Sequence, residues 1–320
     1  MRYALMTEPQ QGLGYDDILA LARTAREAGF ETFFRSDHYT SFPGAAGLPT
    51  TDAWTTLAGL ARETEGIGLG ALVSPVTFRI PGSFVKVITT VDEMSGGRVE
   101  VGVGAGWNEI EHREHGIPFP DVKTRFDMLE EELAILHGMW TEPAGWSHEG
   151  TRWPVENARL APRPVARPGR RHPNLIIGGD GKPRTARLVA AYADEFNVGG
   201  GTPEDVAAAF ARIRAACAEH RRDPDALVYS AMIGTVVGAT EDELRDRVRT
   251  LVGMVASGQD ADEWLAERRP RFIIGTYEQA LERIAAYEAV GVQRLMLQDL
   301  LPRDLDQVRE IGMMLRLPAA

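Results

Sequence analysis

An acidic residue and a histidine, Asp37 and His38, come one residue after the segment 31–35, which is predicted to be a β-strand. Imidazole changes its charge near neutral pH, so His38 is a candidate general acid or base, or a donor to a ligand. Asp and His are also common in turns, and the pair is equally compatible with a loop histidine capped by its neighbour. Position alone leaves both interpretations open.

Glycines form a second candidate site after a predicted strand at residues 98–103. Three glycines alternate along the chain up to Gly106, and Trp107 follows. Because no Cβ atom intrudes at such a strand end, a flat ring could lie against it. Tight packing between strands is the alternative explanation, and we prefer it for the first of the three glycines.

The loop after a predicted strand at residues 174–177 is the third candidate site. Its sequence, Gly178-Gly179-Asp180-Gly181-Lys182-Pro183-Arg184, combines three glycines with two basic side chains. The proline suits the first turn of a helix, and the amides before it would point toward an anion. The loop therefore favours a phosphate site, although glycine-rich loops are also common connectors. The order of residues excludes a Walker loop.

Metal ligation and serine chemistry have weaker support. His112 and His115 lie three residues apart in the glutamate-rich stretch 109–115, and on one helix face they could bind a divalent ion. A solvated polar turn is the favoured interpretation, because no matching pair of ligands follows another strand. We therefore predict no metal. The absence of a Gly-x-Ser-x-Gly motif disfavours a serine hydrolase.

Composition limits the classes of partner. The 320 residues are 44% hydrophobic and carry a net charge of -11, from 35 basic and 46 acidic side chains. Such a chain can bury a sizeable core, and its acidity disfavours nucleic acid and membranes as partners. The single cysteine, Cys217, cannot form an intramolecular disulfide. Neither a signal peptide nor a run of eighteen apolar residues is evident, so we expect a cytoplasmic protein.

Short apolar runs alternate with amphipathic stretches along the chain, which is typical of β-α units. The predicted strands lie at residues 3–7, 31–35, 66–73, 98–103, 174–177, 195–198, 227–237 and 294–297. Eight strands, each followed by a helix, predict a single α/β domain over residues 1–320, a (β/α)8 TIM barrel with its catalytic groups at the carboxyl ends of the strands. An open doubly wound sheet is the alternative.

Two segments exceed what a plain barrel needs. Residues 141–172 follow the helix after the fourth strand and are rich in Pro, Trp and Arg. Residues 258–271 precede the last helix-strand unit, are polar, and are expected to be partly helical. Both segments are candidate lids or interface elements.

Several motifs, in order along the chain, resemble the luciferase-like monooxygenase superfamily, and more narrowly its branch of oxidoreductases that depend on the deazaflavin coenzyme F420. The motifs are Ala25-Arg26-Glu27-Ala28-Gly29-Phe30, Ser36-Asp37-His38, Thr77-Phe78-Arg79-Ile80-Pro81, residues 91–98 and 102–109, Tyr192-Ala193-Asp194-Glu195-Phe196-Asn197 and Gly275-Thr276-Tyr277-Glu278-Gln279-Ala280. The resemblance covers most of the chain, and the ordered set is more specific than any one motif.

The resemblance implies a (β/α)8 barrel that holds FMN or F420 in its mouth, with the ring against a bulge of the third strand that often contains a non-prolyl cis peptide. The bulge is expected at Ala71 and Leu72, with Ser74 near the ring or the phosphoribityl chain. Asp37 and His38 would lie at the reactive edge of the ring. The other expected cofactor contacts are Gly106, Asn108, Gly178, Gly179, Gly181 and Lys182.

One position departs from the family pattern. Members that oxidise sugar phosphates have a carboxylate directly after the glycine that corresponds to Gly106, where this chain has Trp107. A sugar phosphate is therefore a disfavoured substrate. Trp107, Trp54, Tyr39 and Phe42 instead indicate an apolar or aromatic substrate, unless these side chains pack in the core or a lid. Glu109 is the candidate replacement acid, although the start of a helix could turn it outward.

These observations lead to a leading hypothesis and three alternatives. The leading hypothesis is an F420-dependent oxidoreductase that moves a hydride between C5 of the deazaflavin and a small organic substrate, with His38 as proton donor or acceptor and Glu109 as a second catalytic candidate. The alternatives are an FMN-dependent monooxygenase that uses O₂, a catalytically silent flavin-binding relative and, more remotely, a metal-dependent hydrolase. Family members are often dimers, so a homodimer is also an expectation.

A local basic track would favour F420, because this cofactor carries an acidic oligoglutamate tail. The net acidity of the chain does not exclude such a track. The candidate residues are Lys182, Arg184, Arg79 and the arginines between residues 163 and 171.

Overall fold

In the computed structural model, which describes residues 1–318, strands and helices alternate along most of the chain. The strands are β1 (Arg2–Thr7), β2 (Thr32–Arg35), β3 (Gly68–Pro75), β4 (Val99–Gly104), β5 (Trp146–His148), β6 (Val155–Ala158), β7 (Asn174–Gly178), β8 (Glu195–Gly199), β9 (Val228–Gly238), β10 (Ile273–Thr276) and β11 (Arg294–Asp299). The helices are α1 (Tyr15–Glu27), α2 (Ala53–Glu63), α3 (Pro81–Ser95), α4 (Glu109–Glu114), α5 (Val122–Thr141), α6 (Pro183–Tyr192), α7 (Pro203–Glu219), α8 (Glu241–Val255), α9 (Ala261–Arg268), α10 (Tyr277–Ala289) and α11 (Leu305–Met314). Within residues 1–318, every helix is too short or too polar to cross a membrane.

Eight parallel strands close into a barrel. Their order is β1-β2-β3-β4-β7-β8-β9-β11, and β11 pairs with β1 over its whole length, from Arg294 opposite Arg2 to Asp299 opposite Thr7. β10 lies outside this ring and pairs only with the last four residues of β9. The predicted (β/α)8 TIM barrel is confirmed, and the open doubly wound sheet is wrong because the first and last strands are hydrogen-bonded to each other.

The segments outside the eight β-α units form regular structure of their own. Residues 141–172 contain a two-stranded antiparallel sheet, in which β5 pairs with β6. Residues 258–271 contain α9, in agreement with the partly helical expectation. The solvated turn expected at residues 109–115 is wrong, because α4 forms there with Glu111 and His112 buried. Its N-cap side chain satisfies a free amide of the first turn, which stabilises a helix even in a polar sequence.

Charged side chains fill the barrel near the amino-terminal ends of its strands. Arg294 of β11 contacts Glu100 of β4 at 2.7 Å and Glu195 of β8 at 3.0 Å. Burial would lower the pKa of Arg294, but these carboxylates outweigh that effect and raise it. Burial would raise the pKa of Glu100, but Arg294 outweighs it and lowers the pKa to about 2. Above this layer lies an apolar layer of Ala4, Met6, Phe34, Leu72, Ile176 and Met296.

The third strand carries a bulge that faces the barrel mouth. The pairing of β3 with β4 shifts its register between Ala71 and Ser74, and a cis peptide joins Leu72 to Val73. The expectation of a bulge is therefore confirmed. The expected position of the cis peptide, Ala71–Leu72, is wrong by one residue.

The glycines of the neighbouring strands make room for this bulge. A Cβ atom at Gly104 would lie 2.9 Å from Val73 Cγ2, and one at Gly178 would lie 3.1 Å from Val73 Cγ1. At Gly102 a Cβ would approach the carbonyl oxygen of Ala71 to 2.4 Å. The space at the β4 glycines is therefore occupied by the bulge, and it is not the opening for a ring that their alternation predicts.

Candidate functional site

A cavity of about 850 Å³ opens at the carboxyl ends of the barrel strands. One part of its wall comes from strand ends and the loops that follow them, and the other part comes from α8, α9 and nearby residues. Strand-end residues in the first part include Met6, Asp37, His38, Leu72, Gly106 and Gly178. The cavity therefore lies where a (β/α)8 barrel places its chemistry.

His38 and Glu111 form a hydrogen-bonded pair in the wall of this cavity. His38 Nδ1 lies 3.0 Å from Glu111 Oε1, and the backbone amide of Tyr39 donates to Glu111 Oε2 at 3.0 Å. The Glu111 side chain is 2% exposed and that of His38 is 16% exposed. When Nδ1 carries the proton that the carboxylate accepts, Nε2 of the neutral ring is an acceptor, and Nε2 of the protonated ring is a donor. The pair can thus move a proton in either direction.

Two aromatic side chains contact the His38 ring. Phe42 and Trp107 meet it edge to face, with centroid distances of 4.6 Å and 5.8 Å. They also contact each other at a centroid distance of 5.4 Å. Trp107 is 67% exposed, so it lies at the rim of the cavity. Together the two rings restrict the orientation of the imidazole and cover part of it from water.

Asp37 precedes His38 in the chain but has a different set of partners. Arg79 donates to Asp37 Oδ2 at 2.6 Å, and Ser74 Oγ donates to the same oxygen at 2.6 Å. Ser74 in turn accepts a hydrogen bond from Trp54 Nε1 at 2.9 Å. Asp37 is 1% exposed. Its carboxylate therefore joins the loop after β2 to the end of the β3 bulge.

Arg79 connects Asp37 to a second carboxylate. Its guanidinium donates to Asp52 Oδ2 at 2.6 Å and to the Tyr39 hydroxyl at 3.2 Å. Burial would lower the pKa of Arg79, but Asp37 and Asp52 outweigh that effect and raise it. Burial would raise the pKa of Asp52, but Arg79 and hydrogen bonds from Thr55 and Tyr39 lower it to about 2. The Arg79–Asp52 ion pair therefore persists across the neutral pH range and fixes the loop after β2.

Some residues of the glycine-rich loop after β7 line the cavity and others lie outside it. Gly178 and Gly179 line the cavity. Gly181 packs against α7, where a Cβ would lie 3.1 Å from a backbone carbonyl oxygen. Lys182 lies outside the cavity lining, is largely exposed and pairs with Asp180 at 2.7 Å. Only the first half of the loop therefore faces the cavity.

The remaining expected cofactor contacts differ in their access to the cavity. Leu72 and Gly106 line it. Ala71 and Ser74 are buried in β3 and do not line it. Asn108 is also buried outside the lining, where its side chain accepts a hydrogen bond from the backbone amide at the start of α4. These three residues can act on a ligand only by positioning the residues that reach the cavity.

Glu109, the second catalytic candidate, is exposed in the first turn of α4 and does not line the cavity. Glu111 occupies the place beside His38 instead. In a helix, residues two apart point in directions separated by about 200°, so both glutamates cannot face the cavity. Sequence reasoning missed Glu111, because an N-cap such as Asn108 marks the start of a helix and does not show which of its faces turns inward.

The two histidines considered as metal ligands have separate partners. His112 Nε2 lies 2.6 Å from Thr77 Oγ1, and its Nδ1 lies 2.6 Å from the carbonyl oxygen of Asn108. His115 is exposed and lies 3.2 Å from the carbonyl oxygen of Tyr39. Across residues 1–318, no group of three or more His, Cys, Asp or Glu side chains is arranged to hold a metal ion.

Most of the seven basic side chains expected to form a track have a protein partner. Five of them form ion pairs, namely Lys182–Asp180, Arg184–Asp127, Arg79–Asp37, Arg167–Asp92 and Arg170–Asp194. Arg163 donates to the carbonyl oxygens of Met139 and Glu142 at the end of α5. These six basic side chains and the seventh, Arg171, all lie outside the described lining of the cavity.

The second part of the cavity wall is largely apolar. Its side chains are Leu251 and Val255 of α8, Trp264 and Arg268 of α9, and Phe272 and Leu300. Sequence reasoning from strand ends missed this wall, because most of it lies in helices. The polar composition of residues 258–271 also concealed the apolar face of α9, which carries the buried Trp264.

Known proteins similar to this chain include two kinds of oxidoreductase. The chain is 27% identical over 322 residues to an F420-dependent glucose-6-phosphate dehydrogenase of Microbacterium testaceum, covering 93% of this chain and 91% of that protein. It is also 27% identical over 304 residues to an FMNH(2)-dependent dimethylsulfone monooxygenase of Pseudomonas putida, covering 86% of this chain and 80% of that protein. These relatives use F420 or a flavin.

A solved structure supports the fold assignment. An F420-dependent secondary alcohol dehydrogenase in complex with an F420-acetone adduct matches with a TM-score of 0.80 and 20% identity, covering 98% of this chain and 99% of that one. At that identity the match shows the barrel fold alone. The family model described as luciferase-like monooxygenase matches residues 1–294. The chain therefore belongs to the luciferase-like monooxygenase family.

Proposed function

We propose that this protein is an F420-dependent oxidoreductase that moves a hydride between the deazaflavin and a small organic substrate. The observation that carries the proposal is the His38–Glu111 pair in the cavity wall, with Nδ1 3.0 Å from the carboxylate. Adding or removing a hydride at a carbon that bears oxygen changes the charge on that oxygen. The reaction therefore needs a proton donor or acceptor within hydrogen-bond reach, and Nε2 of His38 fills this role.

The cavity wall fits a flat ring with a phosphate-bearing chain. When bound, F420 accepts or donates the hydride at its C5 atom. Leu72 and Val73 of the bulge offer an apolar surface to a ring, and Gly178 and Gly179 keep side chains away from the loop before α6. Unpaired amides at a helix N-terminus attract a phosphate. At Gly199 a Cβ would meet nothing within 4 Å, so the wall is open there.

The other residues expected to bind cofactor differ in their access to it. Asp37 lines the cavity and accepts a hydrogen bond from Ser74 at the end of the bulge. Ala71 and Ser74 hold the bulge in position, and Asn108 caps the helix that carries Glu111. Gly106 lines the cavity at φ +76°, a conformation that favours glycine. Gly181 sets the turn into α6, and Lys182 pairs with Asp180 at the outer side of the loop. The proposed direct contacts are therefore Asp37, Leu72, Gly106, Gly178 and Gly179.

The same side chains serve both directions of the reaction. In oxidation, neutral His38 accepts the hydroxyl proton at Nε2 as the hydride leaves the substrate carbon, and the alcohol becomes a carbonyl. In reduction, protonated His38 donates that proton to the carbonyl oxygen. Glu111 stabilises the imidazolium in each case, and its burial weakens solvent screening of this charge pair.

The first test is a pair of binding titrations of the purified protein with F420 and with FMN, followed by fluorescence and repeated at high salt. We expect F420 to bind at least tenfold more tightly than FMN. Tighter binding of FMN would contradict the cofactor assignment, and binding of neither would contradict the proposal as a whole.

The second test concerns His38. His38→Ala should bind the cofactor with unchanged affinity and lose about 10²- to 10⁴-fold in turnover, the usual contribution of a general acid or base. His115→Ala is the matched control, because His115 is exposed outside the cavity lining. Unchanged turnover in His38→Ala would rule out the proton-transfer role.

An FMN-dependent monooxygenase is the second candidate function. The observation that favours it is the position of the basic side chains, since all seven that were expected to meet an oligoglutamate tail lie outside the described lining of the cavity. FMN carries a phosphate and no such tail. The same titrations separate the two functions, because tight FMN binding with turnover that requires O₂ would support this candidate.

A further inference from the structure

We infer that the substrate of this site is a non-anionic molecule with an apolar body and one hydroxyl or carbonyl group. Its apolar body would bind against the wall formed by Leu251, Val255, Trp264, Phe272 and Leu300. The inference rests on the proposed function, because His38 is taken as the group that meets the substrate oxygen. Beyond the proposed function, the inference assigns recognition of the rest of the substrate to side chains of α8, α9 and the residues near them.

The apolar wall is part of a packed cluster. Leu251 is 1% exposed and Trp264 is 4% exposed, and both belong to a hydrophobic cluster that includes residues of β9, β10 and α8. Such side chains are held in one arrangement, so they present a fixed surface to a ligand. Burial of apolar surface against it is worth about a fourfold gain in affinity for each added methylene group.

The loop after β2 closes the cavity against the same helix. Gly44 in this loop lies so near α8 that a Cβ atom would come 2.1 Å from the carbonyl oxygen of Met254. Phe42, two residues earlier, lines the cavity and contacts the ring of His38. A substrate with its oxygen at His38 therefore has apolar side chains on both sides.

The charges of the wall disfavour an anionic substrate. Glu8 lines the cavity and accepts hydrogen bonds from the amides of Gln10 and Gln298. Among residues 1–318 it forms no ion pair with a basic side chain. Arg268 is the one Lys or Arg of the described lining, and Glu267 already pairs with it at 2.9 Å. A phosphate or carboxylate of a substrate that lies beside Glu8 would thus meet an uncompensated carboxylate and no free Lys or Arg.

The test measures affinity for a series of methyl ketones from butan-2-one to octan-2-one by calorimetry. The series is titrated into protein saturated with whichever of F420 or FMN it binds and, in parallel, into protein as purified. Glucose 6-phosphate serves as the anionic probe. We expect the ketone Kd to fall about fourfold per methylene group, and glucose 6-phosphate to bind more weakly than octan-2-one.

A pair of variants tests whether the wall itself recognises the chain. Val255→Asp places a charge on the apolar wall and should abolish most of the gain with chain length. Thr250→Asp adds the same charge on the exposed side of α8, outside the cavity lining, and should leave the series unchanged. Circular dichroism and thermal unfolding of both variants would show that they are folded.

The outcomes separate this inference from the proposed function. An affinity that does not change with chain length, tighter binding of glucose 6-phosphate than of octan-2-one, or equal behaviour of the two variants would overturn the inference even if F420 binds and transfers a hydride. A chain-length dependence in the protein as purified, together with failure to bind either cofactor, would support the apolar wall and overturn the proposed function.

Discussion

At the scale of single residues, Glu111 determines what His38 can do. Its buried carboxylate fixes the ring through Nδ1 at 3.0 Å and is itself held by the backbone amide of Tyr39. A carboxylate in that position selects the tautomer that leaves Nε2 as an acceptor, and it stabilises the ring after protonation. Glu109 has neither property, because it is exposed on the other side of α4.

Replacing the carboxylate by an amide tests this role. Glu111→Gln keeps a hydrogen-bonding group beside His38 but removes the negative charge, so we expect turnover to fall by about 10²-fold with little change in cofactor affinity. Steady-state kinetics alongside a cofactor titration would measure both quantities. Glu109→Gln is the matched control and should keep full turnover. Equal losses in the two variants would contradict the assignment of Glu111.

A second buried carboxyl group gives a prediction about pH. Glu132 of α5 is 1% exposed, and its Oε2 has no hydrogen-bond partner. Burial raises the pKa of Glu132 from 4.5 to about 8, against the opposing charge of Arg79. Because the folded state holds this proton more tightly than the unfolded state, the group favours folding most below pH 4.5. That contribution is lost progressively as the pH rises toward about 8.

Glu132→Gln removes this dependence, because the amide stays neutral. We expect the free energy of unfolding of the variant, relative to the wild type, to rise by a few kcal/mol between pH 5 and pH 8. Urea unfolding at the two pH values measures the change. Glu219→Gln, on the exposed face of α7, is the control and should show no such rise. A pH-independent difference for Glu132→Gln would contradict the assigned shift.

At the scale of elements, the site depends on how β4 and β7 accommodate the bulge of β3. Val73 occupies the space that glycines leave on β4 and on β7, the strand beyond β4, as at Gly104, where a Cβ would lie 2.9 Å from Val73 Cγ2. Asp37 and Ser74 then join the end of the bulge to the loop that carries His38, at 2.6 Å. The glycines therefore shape the wall indirectly, through a side chain of another strand.

A double-mutant cycle tests this fit. Gly104→Ala should destabilise the protein by about 1–3 kcal/mol, because the added methyl group overlaps Val73. The same change in a Val73→Ala background should cost much less, since the smaller side chain leaves room. Thermal or urea unfolding of the four proteins gives the coupling energy. Strictly additive effects would show that the two residues do not compete for space.

Sequence patterns predicted the strands well because barrel strands are buried on both faces and appear as short apolar runs. The apolar pattern alone could not predict the position of the cis peptide, since Ala71, Leu72 and Val73 are all apolar and any of them fits either face of the strand. Glu111 was missed for another reason, because its partner His38 lies 73 residues away and only the fold brings them together. β10 was missed because it pairs only with the far end of β9.

At the scale of the whole molecule, one buried arginine connects strands around the barrel. Arg294 of β11 bonds Glu100 of β4, Glu195 of β8 and Thr32 of β2. Its side chain is 1% exposed, so these charges are shielded from water and depend on one another. This charged layer lies at the amino-terminal ends of the strands, opposite the cavity. The groups that stabilise the barrel are therefore separated from those proposed to act on a substrate.

Removing this arginine tests its role in barrel stability. Arg294→Met leaves buried carboxylates without a counter-charge and should destabilise the protein by about 3–5 kcal/mol. Arg309→Met removes a surface ion pair with Asp306 and should change stability by less than about 0.5 kcal/mol. Urea unfolding measures both. Similar small effects in the two variants would show that the buried cluster contributes little.

The central claim is a hydride transfer through F420 with a proton exchanged at His38. The most direct measurement uses reduced F420 labelled with deuterium at C5, incubated with the protein and octan-2-one in the absence of O₂. The account predicts octan-2-ol with deuterium on carbon 2, and loss of this product in His38→Ala. When both hydrogens on C5 are deuterium, unlabelled octan-2-ol, or a reaction that proceeds only when O₂ is supplied, would contradict it.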